Sequence, residues 1–309
     1  MIPVNSVLQV GQFPEVMQKA IDQRITPVRY PDLNAKLPPG SYESILIRSN
    51  TQLPVALLEK LPLLKMVATC GVGYDNLPLG YLKAKGIKAS NTPGVLNDAV
   101  CELAVGMMFG LLRRIPQAHE FVKSAAWSKG LFTVTTTLAG KCVGIAGMGR
   151  IGQDLAKRLE AFKVKIAYTG PSRKEVPYEY FPDIHSLAKA SDVLFLACPA
   201  TPETEKMVNA EVLSALGTKG FLINIARGSV VDETALLVAL QQNIIAGAAL
   251  DVFENEPNPN IGFLNLDNVL LTPHIGSATS ETRQLMTNLA IDNLEAFYNK
   301  KTLLTEVKN

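Results

Sequence analysis

Four polar residues follow apolar runs in the second half of the chain and could act together on one substrate. Arg227 follows the run GFLINIA, Asp251 follows AGAAL, Glu256 lies in DVFENEP, and His274 follows NVLLTP. Short apolar runs of this kind are typical of buried strands. Because the carboxyl ends of parallel strands gather at one edge of a sheet, we expect these side chains to converge.

These side chains match the needs of one reaction, the reduction of a 2-keto acid. Arg227 offers a planar, permanently charged fork that can hold a carboxylate and polarise the adjacent carbonyl. His274 can protonate the new oxyanion near neutral pH, and Glu256 beside it would stabilise the imidazolium. Arg227 could instead be a solvated charge at the end of a strand, and Glu256 could be a residue of a surface turn. His119 and His185 lie in or beside helical patterns and fit structural or surface roles.

The stretch GKCVGIAGMGRIG, residues 140–152, predicts where a hydride-donating cofactor would bind. Its pattern predicts a short strand, a glycine turn and the start of a helix. Gly147 permits a tight turn, Gly149 lets the backbone approach a pyrophosphate, and Gly152 lets the helix pack on the strand. The helix N-terminus would offer N–H groups to the phosphates. The alternative is a purely structural strand–helix turn.

The loop after the next strand, KVKIAYT, bears on which nucleotide is bound. That strand ends at Thr169, where NAD-selective proteins usually carry Asp or Glu for the ribose hydroxyls. Ser172, Arg173 and Lys174 follow instead and could bind a 2′-phosphate, or else form a solvated loop. The sequence therefore favours NADP(H), with NAD(H) as the alternative.

The order of strands and helices predicts an α/β protein with two doubly wound parallel-sheet domains. Candidate strands are residues 6–10, 25–29, 44–48, 64–69, 87–90, 142–146, 163–168, 192–198, 220–226, 246–252 and 268–272. Helices are predicted at 14–22, 54–60, 78–85 and 96–113, from near 150, 183, 209 and 232, and at 280–298. The helix at 96–113 is apolar nearly all round and should be buried. The segment 118–137, with the only tryptophan, is predicted to be irregular.

Composition narrows the class of protein. The 309 residues, 47% hydrophobic and 19% charged, suit two well-packed domains. A net charge of +2 without a basic block argues against nucleic-acid binding. No apolar run reaches the roughly 20 residues that cross a bilayer, and no signal peptide is evident. The scattered cysteines, Cys70, Cys101, Cys142 and Cys198, predict a reduced, cytoplasmic protein without a structural metal site.

Six stretches spread over most of the chain resemble the D-isomer-specific 2-hydroxyacid dehydrogenases. In order they are NTPGVLNDAVCELAVGMM, GKCVGIAGMGRIG, CPATPETEKMVN, NIARGSVVDETAL, AALDVFENEP and LLTPHIGSAT. The resemblance implies a flavodoxin-like substrate domain from residues 1–95 and 280–309, a Rossmann cofactor domain from 96–279, and a cleft between them. It also implies a homodimer in which the helix at 96–113 takes part in the contact.

The resemblance also assigns roles to individual residues. It implies Arg227 as the substrate-binding arginine, His274 as the proton donor and Glu256 as its paired carboxylate. In the run CGVGYDN, the N–H groups of Val72 and Gly73 would hold the substrate carboxylate. The residues expected to contact the nucleotide are Gly147, Gly149, Arg150, Ile151, Gly152, Thr169, Ser172, Arg173, Lys174, Cys198, Pro199, Thr204, Ile225, Ala226, Arg227, Asp251, His274 and Gly276.

Further features bear on the substrate. Arg48 and Ser49 end a predicted strand and could contact the substrate tail, or simply form a turn. The loop at 169–174 and the stretch around Trp127 most resemble the glyoxylate/hydroxypyruvate reductase branch, including hydroxyphenylpyruvate reductases. Glu256 argues against the formate dehydrogenases of this superfamily, which carry Gln there.

The expected activity is therefore NADPH-dependent reduction of a small 2-keto acid to the D-2-hydroxy acid. One alternative is an NAD-dependent dehydrogenase acting on hydroxyphenylpyruvate, D-lactate or a sugar acid. Another is a dinucleotide-sensing binding protein related to the corepressors that share this fold.

Overall fold

The structure, a computed structural model, describes residues 2–307. Over that range the chain divides into two compact units. The first comprises the residues up to Leu96 and those from Ser277 onward, and the second is Asn97–Gly276. The predicted changes of domain after residues 95 and 279 lie within a few residues of these boundaries.

Short strands alternate with helices through both units. In chain order the strands are β1 (Val7–Val10), β2 (Val28–Tyr30), β3 (Ser44–Arg48), β4 (Met66–Cys70), β5 (Lys88–Ser90), β6 (Cys142–Ala146), β7 (Lys165–Thr169), β8 (Glu179–Phe181), β9 (Val193–Leu196), β10 (Phe221–Asn224), β11 (Gly247–Leu250) and β12 (Val269–Leu271). The helices are α1 (Glu15–Arg24), α2 (Val55–Leu58), α3 (Leu79–Ala84), α4 (Asn97–Leu112), α5 (Ile115–Lys123), α6 (Arg150–Glu160), α7 (Ile184–Ala190), α8 (Ala210–Leu216), α9 (Glu233–Gln241) and α10 (Ser280–Tyr298).

The first unit is built on a parallel sheet of order β2-β1-β3-β4-β5. Strands β1 and β4 are buried along their whole length, which explains their continuous apolar sequences. One face of the sheet is covered by α1 and by the terminal helix α10, which pack around Met17, Met66 and Leu294. Thr279 caps α10 by accepting the N–H of Thr282. The terminal segment is thereby part of the first unit.

The second unit is built on a parallel sheet of order β12-β11-β10-β9-β6-β7-β8. Strand β6 lies between β7 and β9, so the strand order reverses there. Ligands of such sheets bind outside the carboxyl ends of the strands at this reversal. The apolar helix α4 packs in this unit against α6 and β11, and buries Met107, Met108 and Leu112 among others. The predicted fold class, two doubly wound parallel sheets, is confirmed.

Three local predictions were wrong. The strand expected at 25–29 occurs at Val28–Tyr30, because α1 continues to Arg24 and Ile25 caps it. Strand β8 was missed because it is a three-residue edge strand without fully buried positions. The segment expected to be irregular contains most of α5, a helix with Pro near its start and no buried residue, followed by a 3₁₀ turn at Ala126–Lys129.

Candidate active site

The turn between β6 and α6 needs two of its three glycines for steric reasons. Gly147 has φ +103°, and a Cβ there would lie 2.6 Å from the amide nitrogen of Cys198. A Cβ on Gly152 would collide with the carbonyl oxygen of Gly147. A side chain at either position would therefore disrupt the turn or the packing of α6 on β6.

Gly149 is not required by packing within the protein, because a Cβ there would have no atom within 4 Å. The space above this residue is open, and Gly149 is the N-cap of α6 with no side-chain cap. The first turn, at Arg150 and Ile151, thus presents backbone donors and a positive dipole end beside open space. A pyrophosphate fits this arrangement, so the residues present suit a dinucleotide.

The segment after β9 borders the glycine turn. The backbone of Cys198 is the close neighbour of Gly147. Thr204 donates its hydroxyl to the carbonyl oxygen of Pro199 at 2.8 Å and accepts the N–H of Thr201 at 2.8 Å, which fixes this loop. Burial raises the pKa of the Cys198 thiol to about 11, so this side chain is uncharged at neutral pH. Of the predicted contacts, Cys198 therefore borders the glycine turn, and Pro199 and Thr204 belong to the loop that continues from it.

The loop after β7 is the candidate site for a 2′-phosphate. Thr169 ends β7, is buried, and its carbonyl oxygen accepts the N–H of Gly147 at 2.9 Å. Ser172, Arg173 and Lys174 are all exposed. The end of β7 and the glycine turn are therefore in direct contact, with the hydroxyl and the two cations a few residues further along.

Arg227 follows β10 and is held by the last residue of that strand. The buried Asn224 donates its Nδ2 to the carbonyl oxygen of Arg227 at 2.9 Å, and its Oδ1 accepts the N–H of Ala226 at 3.0 Å. A Cβ on Gly228 would collide with the backbone of Phe253. The ARG motif therefore packs backbone to backbone against the segment that carries Glu256.

His274 and Glu256 form the hydrogen-bonded pair that the sequence predicted. Nδ1 of His274 lies 2.7 Å from Oε2 of Glu256, while Oε1 of Glu256 accepts the N–H of Phe253 at 3.1 Å. The two side chains are 35% and 31% exposed. Since Nδ1 is engaged by the carboxylate, Nε2 is the ring nitrogen that can exchange a proton with a substrate.

Asp251 holds the turn that carries His274. It is 2% exposed, and its Oδ1 accepts the Thr272 hydroxyl at 2.7 Å and the Ile275 N–H at 2.8 Å. Its Oδ2 accepts the Gly276 N–H at 2.8 Å. His274 itself has φ +54°, and its N–H bonds the carbonyl oxygen of Asp251 at 2.8 Å. The sequence placed Asp251 near the histidine, and the structure gives it a positioning role.

Sequence reasoning missed three supporting residues. They are Asn224, Thr272 and Glu233, whose Oε1 accepts the N–H of Glu254 at 2.6 Å. Asn224 had a usable signal, since Asn at a strand end commonly bonds the backbone two residues on. Thr272 and Glu233 bond groups 21 residues away in the chain, so no local pattern could have found them.

The charge state of Glu256 follows from its neighbours. Burial alone would raise its pKa, but the hydrogen bond and charge of His274, the N–H of Phe253 and the charge of Arg227 outweigh it. The net result lowers the pKa of Glu256 from its ordinary 4.5. Glu256 is therefore a carboxylate at neutral pH and can hold an imidazolium at His274.

This lowered pKa makes a prediction about stability. The ionised form of Glu256 stabilises the fold fully above its unfolded pKa of about 4.5, and this contribution is lost as pH falls through the lower folded pKa. Glu256→Gln should therefore lower the Tm at neutral pH, and the difference from the native protein should shrink below about pH 4.5. Thermal unfolding followed by circular dichroism at a series of pH values measures it.

Glu254→Gln is the matched control. Glu254 pairs with Lys206 at 3.6 Å, and both side chains are nearly half exposed. Surface pairs of this kind contribute little, so its Tm should stay close to that of the native protein throughout. A Glu256→Gln deficit that is the same at every pH would contradict the assigned pKa shift.

The candidate substrate residues of the first unit lie together within that unit. Ser49 donates its N–H to the carbonyl oxygen of Cys70 at 3.3 Å, and a Cβ on Gly71 would collide with the Ser49 side chain. The loop continues through Val72 and Gly73, both half-buried, and the carbonyl oxygen of Val72 accepts Asn91 Nδ2 at 2.8 Å. Arg48 donates to the carbonyl oxygen of Gln12 at 3.3 Å. These four residues thus surround the carboxyl ends of β3 and β4.

A metal-binding cluster and a membrane-spanning helix are both absent from the described residues. Within residues 2–307, no group of three or more His, Cys, Asp or Glu side chains is arranged to hold a metal ion. Of the helices in the same range, none has the length and apolar character needed to cross a membrane.

The chain matches known proteins along nearly its whole length. A family model described as the NAD binding domain of D-isomer-specific 2-hydroxyacid dehydrogenases matches residues 105–276. The chain is 45% identical to glyoxylate/hydroxypyruvate reductase A of Arabidopsis thaliana, covering 87% of this chain and 86% of that protein. It is 42% identical to hydroxyphenylpyruvate reductase of Plectranthus scutellarioides, covering 97% and 98%.

Solved structures agree with these sequence matches. The fold is similar to the crystal structure of an NADPH-dependent glyoxylate/hydroxypyruvate reductase from Sinorhizobium meliloti in complex with NADP and malonate. That match has a TM-score of 0.93 and 40% identity, and covers 99% of this chain and 97% of the other. Sequence and fold therefore point to the same group of enzymes.

Proposed function

Because the chain belongs to the D-isomer-specific 2-hydroxyacid dehydrogenases, we propose that it reduces a small 2-keto acid of the glyoxylate or hydroxypyruvate type to the D-2-hydroxy acid with NADPH. The observation that carries this proposal is the 2.7 Å contact between His274 Nδ1 and Glu256 Oε2, with the charge of Arg227 acting on the same carboxylate. The Arabidopsis and Sinorhizobium relatives support the choice of substrate class.

The residues of the site divide the steps of this reaction between them. Bound NADPH supplies the hydride. Arg227 binds the carboxylate of the keto acid and polarises its carbonyl group. His274 donates the proton on Nε2 to the developing oxyanion, and Glu256 stabilises the imidazolium before that transfer. In the oxidative direction, neutral His274 accepts the proton of the hydroxyl group at the same nitrogen.

Other residues position the cofactor and substrate. The glycine turn and the N-terminus of α6 hold the pyrophosphate, with Asp251 fixing the turn that carries His274. The N–H groups of Val72 and Gly73 bind the substrate carboxylate, and Arg48 and Ser49 contact its tail. Ser172, Arg173 and Lys174 bind the 2′-phosphate, since the loop offers a hydroxyl and two cations.

The cofactor assignment is tested by initial rates with NADPH and NADH, using glyoxylate, hydroxypyruvate, pyruvate and 4-hydroxyphenylpyruvate. We expect NADPH to be preferred with glyoxylate or hydroxypyruvate. Replacing both Arg173 and Lys174 with Ala should raise the KM for NADPH by about 10- to 100-fold, because charge-assisted hydrogen bonds are lost. The KM for NADH should not change.

Lys165→Ala supplies the control for this double variant. Lys165 is an exposed lysine at the opposite end of β7, away from the loop. Its removal changes the net charge without touching the 2′-phosphate site, so both KM values should remain those of the native enzyme. A native preference for NADH would contradict the phosphate-binding role of the loop while leaving the roles of His274 and Arg227 intact.

We also propose that the protein is a cytoplasmic homodimer. A stretch of the second unit exposes large apolar side chains, a feature typical of surfaces that bind another protein. They are Ile115, Val122, Trp127, Leu131 and Val134, exposed to 53, 55, 66, 94 and 96%. Free cysteines at 70, 101, 142 and 198 support a reducing compartment. A monomer mass by light scattering would contradict the dimer.

A further inference from the structure

A buried tyrosine holds the loop that carries the two candidate phosphate-binding cations. Tyr168 lies in β7, directly before Thr169, and is 0% exposed. Its hydroxyl accepts the N–H of Lys174 at 2.7 Å and donates to the carbonyl oxygen of the same residue at 3.2 Å. One phenol therefore bonds both backbone groups of Lys174, whose carbonyl oxygen also accepts the N–H of Val176 at 3.0 Å.

A second tyrosine secures the other end of the same loop. Tyr180 of β8 is the register partner of Tyr168, and their ring centroids are 5.3 Å apart. The Tyr180 hydroxyl donates to the carbonyl oxygen of Gly170 at 3.2 Å. Residues 171–173, between these two attachments, are exposed, and so is Lys174 itself. The hydroxyls of Tyr168 and Tyr180 thus hold the backbone of the loop, although the side chains of the loop are exposed to solvent.

We propose that Tyr168 is a positioning residue that sets the preference for NADPH over NADH. By fixing the backbone of Lys174, it holds Arg173 and Lys174 in one arrangement before the nucleotide binds. A loop ordered in advance loses less conformational entropy on binding, so the 2′-phosphate is bound more tightly. NADH lacks that phosphate and gains nothing from the order. This inference rests on the proposed use of NADPH by the same loop.

Tyr178 provides a matched control because it lies close in sequence but contacts a different element. Its hydroxyl donates to Oε1 of Glu160 in α6 at 2.7 Å. Replacing either tyrosine with Phe keeps the ring and removes only the hydroxyl. Both variants lose a tyrosine hydroxyl in this region, but only Tyr168→Phe loses the hydrogen bonds to Lys174.

The test compares steady-state kinetics of the native enzyme, Tyr168→Phe and Tyr178→Phe with both nucleotides. Tyr168→Phe should raise the KM for NADPH by about tenfold, the effect of losing two hydrogen bonds that order the loop. Its kcat and its KM for NADH should stay within about twofold of native. Tyr178→Phe should keep the native KM for both nucleotides. A kcat within about twofold of native also establishes that Tyr168→Phe is folded, because an unfolded fraction would lower the apparent kcat.

A second measurement uses digestion rather than activity. We expect trypsin to cut after Arg173 and Lys174 only when the loop leaves its anchored conformation. We expect slow cleavage there in the native protein and at least about fivefold faster cleavage in Tyr168→Phe. Adding 2′,5′-ADP, which carries the 2′-phosphate, should slow cleavage in both proteins.

The outcomes separate this inference from the proposed function. If the native enzyme prefers NADPH, the Arg173 and Lys174 variant loses that preference, and Tyr168→Phe keeps it, the role of Tyr168 is wrong while the proposed function stands. An equal rise in both KM values would also overturn the inference, because it would indicate a general structural effect. No NADPH preference in the native enzyme would overturn the cofactor proposal and this inference with it.

Discussion

Replacing His274 with Asn should lower kcat for hydroxypyruvate reduction by about 1,000-fold, because the variant has no group that can donate a proton to the oxyanion. Asn is chosen because it tolerates the left-handed backbone that His274 adopts, with φ +54°. The turn held by Asp251 should therefore persist. Affinity for NADPH, measured by fluorescence titration, should stay within about threefold of native.

The remaining histidines provide controls for this substitution. His119 lies in α5 and His185 in α7, and both are exposed. His119→Asn and His185→Asn should keep native kcat. A His274→Asn enzyme with near-native kcat would contradict the role of this histidine as the proton donor. Loss of NADPH binding along with turnover would instead indicate that the turn had collapsed.

Replacing Arg227 with Lys should lower kcat/KM for the keto acid by about 100-fold, and Arg227→Gln by about 1,000-fold. Lys keeps the charge but loses the planar pair of donors that matches a carboxylate, whereas Gln loses the charge as well. Asn224 bonds the backbone of Arg227, so that contact is kept in both variants. The guanidinium also donates to the carbonyl oxygen of Ala226 at 2.8 Å, so Tm is measured for both variants as well. Steady-state kinetics with hydroxypyruvate measures both variants.

The two Arg227 variants distinguish the charge of this side chain from its planar geometry. A Lys variant as active as the native enzyme would mean that only charge matters at this position. A Gln variant that lost stability rather than catalysis, seen as a lower Tm with native kcat/KM, would assign Arg227 a structural role. Native Tm with reduced kcat/KM in both variants is the expected result.

Local sequence signals predicted the framework well. Strands β3 and β6 and helix α10 have the bounds that their apolar patterns predicted. The glycine turn was predictable because its spacing encodes steric needs within a few residues. Strand β8 was missed because a three-residue edge strand is stabilised by pairing with β7 rather than by its own apolar pattern. Family membership, predicted from the six motifs, is confirmed by the family model and the relatives.

The arrangement of the site was predicted less completely. Parallel topology accounts for the convergence of Arg227, Glu256 and His274, because they follow strands of one sheet. Asp251 and the Tyr168 hydroxyl form hydrogen bonds to the backbone of other segments. The sequence pattern does not encode the distances between these segments. A buried polar group must find partners, but the sequence does not identify which ones.

The proposed activity is the transfer of a hydride and a proton to a 2-keto acid to give the D product. It is tested most directly by incubating the native enzyme with hydroxypyruvate and NADPH and resolving the glycerate on a chiral column. We expect one D-glycerate for each NADPH oxidised, with formation about 1,000-fold slower in His274→Asn. Formation of L-glycerate would contradict the proposed activity. So would a protein that binds NADPH but does not oxidise it in the presence of hydroxypyruvate.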